Sequence, residues 1–390
     1  MRLEETAKKY EDYLAQMRYH FHAHPEVSEK EFETCRVIRE ELDKMGVEWR
    51  QCGLETGTLA TIKGDKPGRT ILIRGDIDAL TVQEETGLPY ASQNEGIMHA
   101  CGHDCHISMM LTATQILNDM RSELCGTVKL AFQPAEEIAV GAKAMIADGA
   151  LEGVEGCFAI HVWTDVPSGH VCCKAGPRMA SADWFKLFIT GKGGHGAAPH
   201  QCIDAAVASA AIVNNLQTIV SREINPTDPA VVTVGIMDVG TRYNIVAEKA
   251  RLEGTSRCFS NELWENMPGR IEQIAKDTAK TLRCEARMEN IRLVPPTIND
   301  PMMAGFAEGA SEKILGPGSS ISLEPTMGGE DFAYFMQEVP GAVLLLGTGS
   351  EACGAVWPNH SGKFCVDESM LIKGAMIYAQ VAMDFNASQA

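Results

Sequence analysis

No apolar run in this 390-residue chain approaches the length needed to cross a bilayer, and Met1-Arg2-Leu3-Glu4-Glu5 lacks the apolar core of a signal peptide. Positive charge is scarce too. Thirty-four lysines and arginines stand against 52 aspartates and glutamates, a net charge of −18. That balance favours solubility and argues against nucleic acid or an anionic membrane as partner. Internal repeats, charge blocks and low-complexity tracts are missing, and 45% apolar with 22% charged residues is the composition of a folded chain, not a disordered one. Cysteine, by contrast, is plentiful. There are 13, an odd number at positions that form no small-scaffold disulfide framework. Cys157, Cys284 and Cys365 lie in or beside apolar runs, where a free thiol acts as a small hydrophobe. Adjacent Cys172-Cys173 reads as part of a buried strand before it reads as a redox pair. Reduced thiols without an export signal point to the cytoplasm.

The length predicts two domains. Residues 3–45 carry helical spacing (Leu14, Met17, Phe21, then Phe32, Val37, Ile38, Leu42, Met45), broken into two helices at His24-Pro25 and stopped at Gly46. Short apolar runs follow at Thr58–Ile62, Thr70–Ile73, Thr127–Phe132 and Cys157–Val162, with helical stretches Ile107–Met120 and Val140–Ala147 between some of them. Alternating strands and helices predict an α/β layer with a mixed, mostly parallel sheet. The pattern changes after Gly176-Pro177. Strand 184–190, helix 204–221, strands 230–237 and 249–256, helix 263–282 and strand 285–293 follow in β-α-β-β-α-β order. That is an inserted α+β, ferredoxin-like unit. The division is therefore 1–180 with 295–390 as a discontinuous catalytic domain, and 181–294 as the insert.

In open α/β sheets, ligands bind at the carboxyl edge of the strands. Three apolar runs reach chemistry-bearing residues there: Ile71-Leu72-Ile73 leads to Asp76 and Asp78, Val128–Phe132 to Glu136-Glu137, and Phe158-Ala159-Ile160 to His161. Between the first two lies Cys101-Gly102-His103, whose glycine lets a thiolate and an imidazole turn toward one centre. Taken singly, each has a plain structural role. Cys101 reads as a buried hydrophobe, His161 as a satisfied core histidine, Asp76 and Asp78 as turn caps, and Glu136-Glu137 as a solvated loop. Together they read as a divalent-metal site. The doubled glutamate allows one carboxylate to bind metal while the other moves a proton. Gly191-Lys192-Gly193-Gly194-His195-Gly196 lacks the Walker spacing of a phosphate cradle and reads equally as a glycine-rich turn or as an exposed histidine.

The order Arg74-Gly75-Asp76-Ile77-Asp78-Ala79-Leu80, Met98-His99-Ala100-Cys101-Gly102-His103-Asp104 and Gln133-Pro134-Ala135-Glu136-Glu137 resembles metallopeptidase family M20, more narrowly its amidohydrolase branch of aminoacylases, hippurate hydrolases and auxin-conjugate hydrolases. Ile160-His161, Gly191–His195, Gly329-Glu330-Asp331-Phe332 and His360-Ser361 extend the resemblance over nearly the whole chain. It implies a zinc-peptidase-like catalytic domain with two divalent ions (Zn, Mn, Co or Ni), Cys101 bridging, and His103, Glu137, His161 and His360 as the other ligands. Glu136 matches the general base. Asp78 matches an orienting aspartate, although Asp76 occupies the position where relatives outside this branch carry a ligand histidine. His195 matches the insert histidine that reaches the neighbouring subunit's active site in dimeric members. Asn244 and Arg257 match residues implicated in holding substrate, with Ala247 replacing the proline of the usual asparagine motif.

The expected reaction is hydrolysis of an N-acyl amino acid to a free amino acid and a carboxylic acid, in a homodimer paired through the insert as a lid and dimerisation domain. A dipeptidase or carboxypeptidase acting on short peptides is the alternative. A metal-binding scaffold without catalysis is a third reading, which the intact Glu136-Glu137 pair opposes.

Overall fold

The computed structural model describes residues 2–388. They form two compact units: Met1–Gly176 with Ile298–Glu324 and Asp331–Ala390, and Pro177–Thr297 with Pro325–Glu330. None of the 13 cysteines forms a disulfide.

The first unit is built on a seven-stranded sheet. Its four inner strands, Cys125–Gln133, Lys66–Asp76, Gly156–Pro167 and Gly341–Gly349, run parallel in that spatial order. Gly341–Gly349 is buried along eight successive residues, as expected of a strand covered on both faces. Antiparallel strands close the two edges: Thr58–Lys63 and Glu48–Gln51 on one side, Val171–Cys172 on the other. Glu48–Gln51 went unread in the sequence because four residues are too few to show a period, whereas Val171–Cys172 lies where Cys172-Cys173 reads as a buried strand. The helix His103–Asp119 is buried almost all round and packs on the sheet and on the terminal helix Leu371–Ala387.

The N-terminal segment corrects the reading of two helices. It holds three: Arg2–Lys8, Glu11–Ala23 and Phe32–Met45. The extra break carries no glycine or proline, and Lys9 N–H and Tyr10 N–H turn back to Thr6 O and Ala7 O. Gly46 stops the third helix at φ 66°, a conformation a side chain would strain.

The second unit carries a four-stranded antiparallel sheet in the order Ala230–Val239, Lys249–Cys258, Ala182–Thr190, Glu285–Val294, with helices Ala205–Thr218 and Asn261–Thr281. Burial alternates along Lys249–Cys258, so one face meets the helices and the other is polar. The oxygens of Asp204 and Ser260 cap the two helices. The helix expected to reach Ser221 ends at Thr218 and widens into a π turn, Ile219–Glu223.

Candidate metal centre

The carboxyl edge of the parallel strands in the first unit is where backbone strain concentrates. Five non-glycine residues of the described chain have positive φ, and three flank the site: Ala135 (53°), Ala139 (57°) and His360 (68°). L-residues adopt this conformation at a cost, and it persists where surrounding structure enforces it. Ala135 and Ala139 bracket Glu136-Glu137 in the loop that leaves Cys125–Gln133. Gly102 sits at φ 83°, and a Cβ there would lie 2.3 Å from Val162 Cγ2. Glycine is therefore required both by conformation and by space, and it turns Cys101 and His103 onto one centre.

Cys101 Sγ lies 3.5 Å from His161 Nε2. Glu137 Oε1 lies 3.8 Å from His103 Nε2 and 3.7 Å from His360 Nε2. Donors on one tetrahedral ion, at bonds of 2.0–2.3 Å, are separated by about 3.3–3.7 Å, so these spacings suit coordination. Among the described residues five sets of donor atoms each gather within 4.8 Å: Asp76, His103 and His106; Glu136, Glu330 and Asp331; and three that hold the expected ligands, namely Cys101, His103 and His161; Cys101, Glu137 and His360; His103, Glu136 and Glu137. Cys101, His103 and Glu137 each belong to two of these last three sets, so the three lie at the middle of the cluster. Among the described residues, His103 Nε2 and Glu137 Oε1 are buried with no hydrogen-bond partner. Buried polar atoms are almost always paired, so two orphans facing each other fit a missing cation. The mixed thiolate, imidazole and carboxylate set suits Zn, Mn, Co or Ni.

The surroundings orient these groups. His103 Nδ1–H donates to Asp78 O at 2.8 Å, and Asp78 Oδ1 stands 3.3 Å from the same nitrogen. His161 Nδ1–H donates to Val162 O at 2.8 Å. Each imidazole thus offers Nε2 to the centre, the usual arrangement around a metal. Asp78 Oδ2 accepts from Ser28 Oγ at 2.6 Å and from Glu137 N–H at 3.1 Å, which ties the imidazole side to the glutamate loop. Asp76 meets Arg74 Nη1 at 2.6 Å and His106 Nδ1 at 2.5 Å. Asp76 is thus satisfied by donors, whereas Asp78 Oδ1 is buried without a hydrogen-bond partner beside His103.

Burial alone would lower His103, but the Asp76 and Asp78 carboxylates outweigh it and hold the imidazole well above its usual value. Burial, with His106 and His103 nearby, holds His161 well below, and so neutral. Burial pushes the Cys101 thiol up. Glu137 is pushed up to about 7, by burial first and by the Asp78 and Asp76 carboxylates next, against the pull of His103. Two cations would reverse this crowding of buried acids.

The structure thus gathers Asp78, Cys101, His103, Glu136, Glu137, His161 and His360 in the first unit. In the second unit His195 is exposed in a short strand, Gly194–His195, paired with Ile245–Val246, and Gly196 N–H donates to Asn244 O at 2.9 Å. Arg257 lies apart from them on Lys249–Cys258, where Nη1 donates to Met327 O at 3.3 Å. Sequence reading missed Asn359, whose amide donates to Cys101 O at 3.3 Å and approaches Sγ at 3.8 Å. Its only signal is its place before His360.

The sequence pattern of Peptidase family M20/M25/M40 matches residues 72–384. The chain is 38% identical to thermostable carboxypeptidase 1 of Saccharolobus solfataricus over 392 aligned positions, covering 99% of this chain and 98% of that one. It is also 38% identical to N-acetyl-L-cysteine deacetylase of Bacillus subtilis, covering 94% and 86%. The crystal structure of the Bacillus subtilis YXEP protein, titled a dinuclear metal binding peptidase from the M20 family, superposes with a TM-score of 0.86 at 35% identity, covering 98% of this chain and 100% of that one.

Proposed function

Because this chain belongs to peptidase family M20/M25/M40, we propose that it is a metal-dependent hydrolase of amide C–N bonds whose substrates are N-acyl amino acids. The observation that carries this reading is the placing of Glu136 beside Glu137 and His103, a second carboxylate next to the one we assign as ligand. We assign the two divalent ions to Cys101, His103, Glu137, His161 and His360, with Cys101 shared. Bound there, the ions would polarise the scissile carbonyl and acidify water.

The chain's own residues do the rest. Glu136 accepts the proton of the attacking water and delivers it to the leaving nitrogen, so the amine departs neutral. Asp78 holds His103 with Nε2 turned inward and, through Glu137 N–H, keeps the glutamate loop in register with it. Asn359 donates toward the Cys101 sulfur and moderates its charge. To the second unit we assign dimerisation and the holding of substrate, through His195, Asn244 and Arg257. Thirteen cysteines without a disulfide support a reducing compartment, the cytoplasm. No helix of the described residues is long and apolar enough to cross a membrane.

The likeness to a carboxypeptidase at 38% identity favours one second reading, cleavage of short peptides. A panel of N-acetyl and N-benzoyl amino acids against dipeptides, run on metal-depleted protein reconstituted with one ion at a time, separates the two. Faster turnover of dipeptides with every ion would overturn the first reading. Glu136→Gln is expected to keep its metal content and lose about 10²–10⁴-fold in kcat; retained turnover removes Glu136 as base.

A further inference from the structure

Beside the metal centre lies a buried ionic cluster to which the proposed reaction assigns no step, with Asp76 near His103 and Asp331 near Glu136. The Arg74 side chain is 1% exposed, and those of its partners Asp76 and Asp331 are 0% exposed. Its guanidinium spends three nitrogens on three acceptors: Nη1 on Asp76 Oδ2 at 2.6 Å, Nη2 on Asp331 Oδ1 at 2.9 Å, and Nε on Gln133 Oε1 at 2.8 Å. Only a planar fork does this, because a lysine ammonium cannot aim three donors in one plane. Burying ionised groups is costly, and a buried ion pair contributes little net stability over well-packed apolar residues. The cluster therefore calls for a reason beyond stability.

Its two arms end at the two halves of the metal centre. On one side Asp76 Oδ1 accepts from His106 Nδ1–H at 2.5 Å, while His106 Nε2 accepts from Val162 N–H at 2.9 Å. Those two bonds fix a single neutral tautomer. The ring of His106 lies between two assigned ligands, 5.4 Å from the ring of His103 and 4.7 Å from that of His161. Asp76 Oδ2 itself stands 3.6 Å from His103 Nε2. On the other side Asp331 accepts from Gln133 Nε2 at 2.8 and 2.9 Å and from Ala142 N–H at 3.2 Å. Gln133 and Ala142 flank the strained loop that carries Glu136 and Glu137. At Gly141 a Cβ would lie 1.6 Å from Pro134 O, so this loop closes too tightly to adjust by itself.

We propose that Arg74 is the positioning residue of the metal centre, a single guanidinium that sets the imidazole half through Asp76 and His106 and the carboxylate half through Asp331. The inference rests on the metal-dependent reading above. It explains why Asp76 stands at the strand end: it is held there as an acceptor for Arg74 and His106 and supplies negative charge behind His103. Arg74 touches no reacting atom. Its effect is on where the ligands and Glu136 stand when the ions arrive.

The test uses the full chain as Arg74→Lys, His106→Gln, Asp331→Asn and the His106→Gln/Asp331→Asn double variant. Each is titrated with Co(II) after metal removal, reading affinity by chelator competition and the absorption band of the Cys101 thiolate–cobalt bond, with circular dichroism to establish folding. Loss of an outer partner typically weakens metal binding or activity 10–100-fold. Folded Arg74→Lys is expected to lose at least tenfold in affinity for both ions and to lower kcat with KM within about threefold. His106→Gln shifts the thiolate band, whereas Asp331→Asn leaves the band in place and weakens the second ion. In the double variant the combined loss is smaller than the product of the single losses, because both arms act through one guanidinium. Multiplying losses, or folded Arg74→Lys with native affinity, band and kcat, overturns the proposal. If Arg74→Lys does not fold, the double-variant cycle decides alone. Wild-type protein that takes up no ion overturns the functional reading as well; wild-type uptake left unchanged by the variants overturns this inference only.

Discussion

The two units of the chain use the same materials, strands and helices in alternation, to opposite ends. The second unit is relaxed. Its strands alternate buried and exposed residues, its helices have side-chain caps, and Arg283 is its one non-glycine residue of positive φ among those described. The first unit places Ala135, Ala139 and His360 in that strained region and buries Arg74, Asp76, Asp78 and Asp331 at one sheet edge. Local rules are kept where the task is to be a stable platform and broken where side chains must be held against their own repulsion. Strain and buried charge are thus markers of the working edge.

That contrast can be broken experimentally. Cys101→Ser should produce the largest effect: elemental analysis should find the ion content of the purified protein markedly reduced, with circular dichroism unchanged. Full occupancy would take the thiolate out of the ligand set. Leu252→Ala, in the fully buried core of the second unit, should act the other way round. It should cost about 2–5 kcal/mol in denaturant unfolding while leaving metal stoichiometry intact. A loss of metal there would mean that the two units are not separable in this sense.

A pH experiment sharpens the first unit alone. Glu137, pushed up to about 7, must shed its proton to bind a cation. Metal uptake should therefore weaken as pH falls through 7, by up to about tenfold per pH unit, with a proton released on binding in that range. Isothermal titration in two buffers of different ionisation enthalpy measures this, and a pH-independent affinity between 5.5 and 7.5 would exclude Glu137 as ligand. The smallest effect belongs to Ser260→Ala. Loss of its cap to Leu263 N–H should cost roughly 1 kcal/mol of stability, with kcat untouched.

The same contrast decided what could be read in advance. The insert's order of elements was legible because Trp184–Thr190 and Lys249–Ser256 alternate with period two and Leu263–Leu282 carries the helical period. The inner parallel strands were legible as apolar runs. At the site, cysteine, histidine and paired glutamates announce themselves by residue type. Asn359 does not, since an amide beside a histidine has no distinctive signal. Ala135 and Ala139 are the residue types least suggestive of strain. Arg74 and Asp331 are 257 positions apart, and pattern reading within a window cannot join them. The extra helix break at Lys9-Tyr10 was illegible for another reason: tertiary packing imposed it without glycine or proline.

The discontinuity of the first unit has a consequence for how the protein is made. Gly156–Pro167 is an inner strand only because Gly341–Gly349 lies beside it, and His360 follows that strand. On the ribosome, at about 5–20 residues per second, the first strand waits about 10–40 s for its neighbour. During that interval an apolar parallel edge is open, the kind of surface that invites mispairing. Most of the second unit, Pro177–Thr297, is synthesised within that interval, whereas its segment Pro325–Glu330 follows only near the end of it. Of the five residues assigned above as ligands, His360 is therefore made last, after the strand that completes the inner sheet.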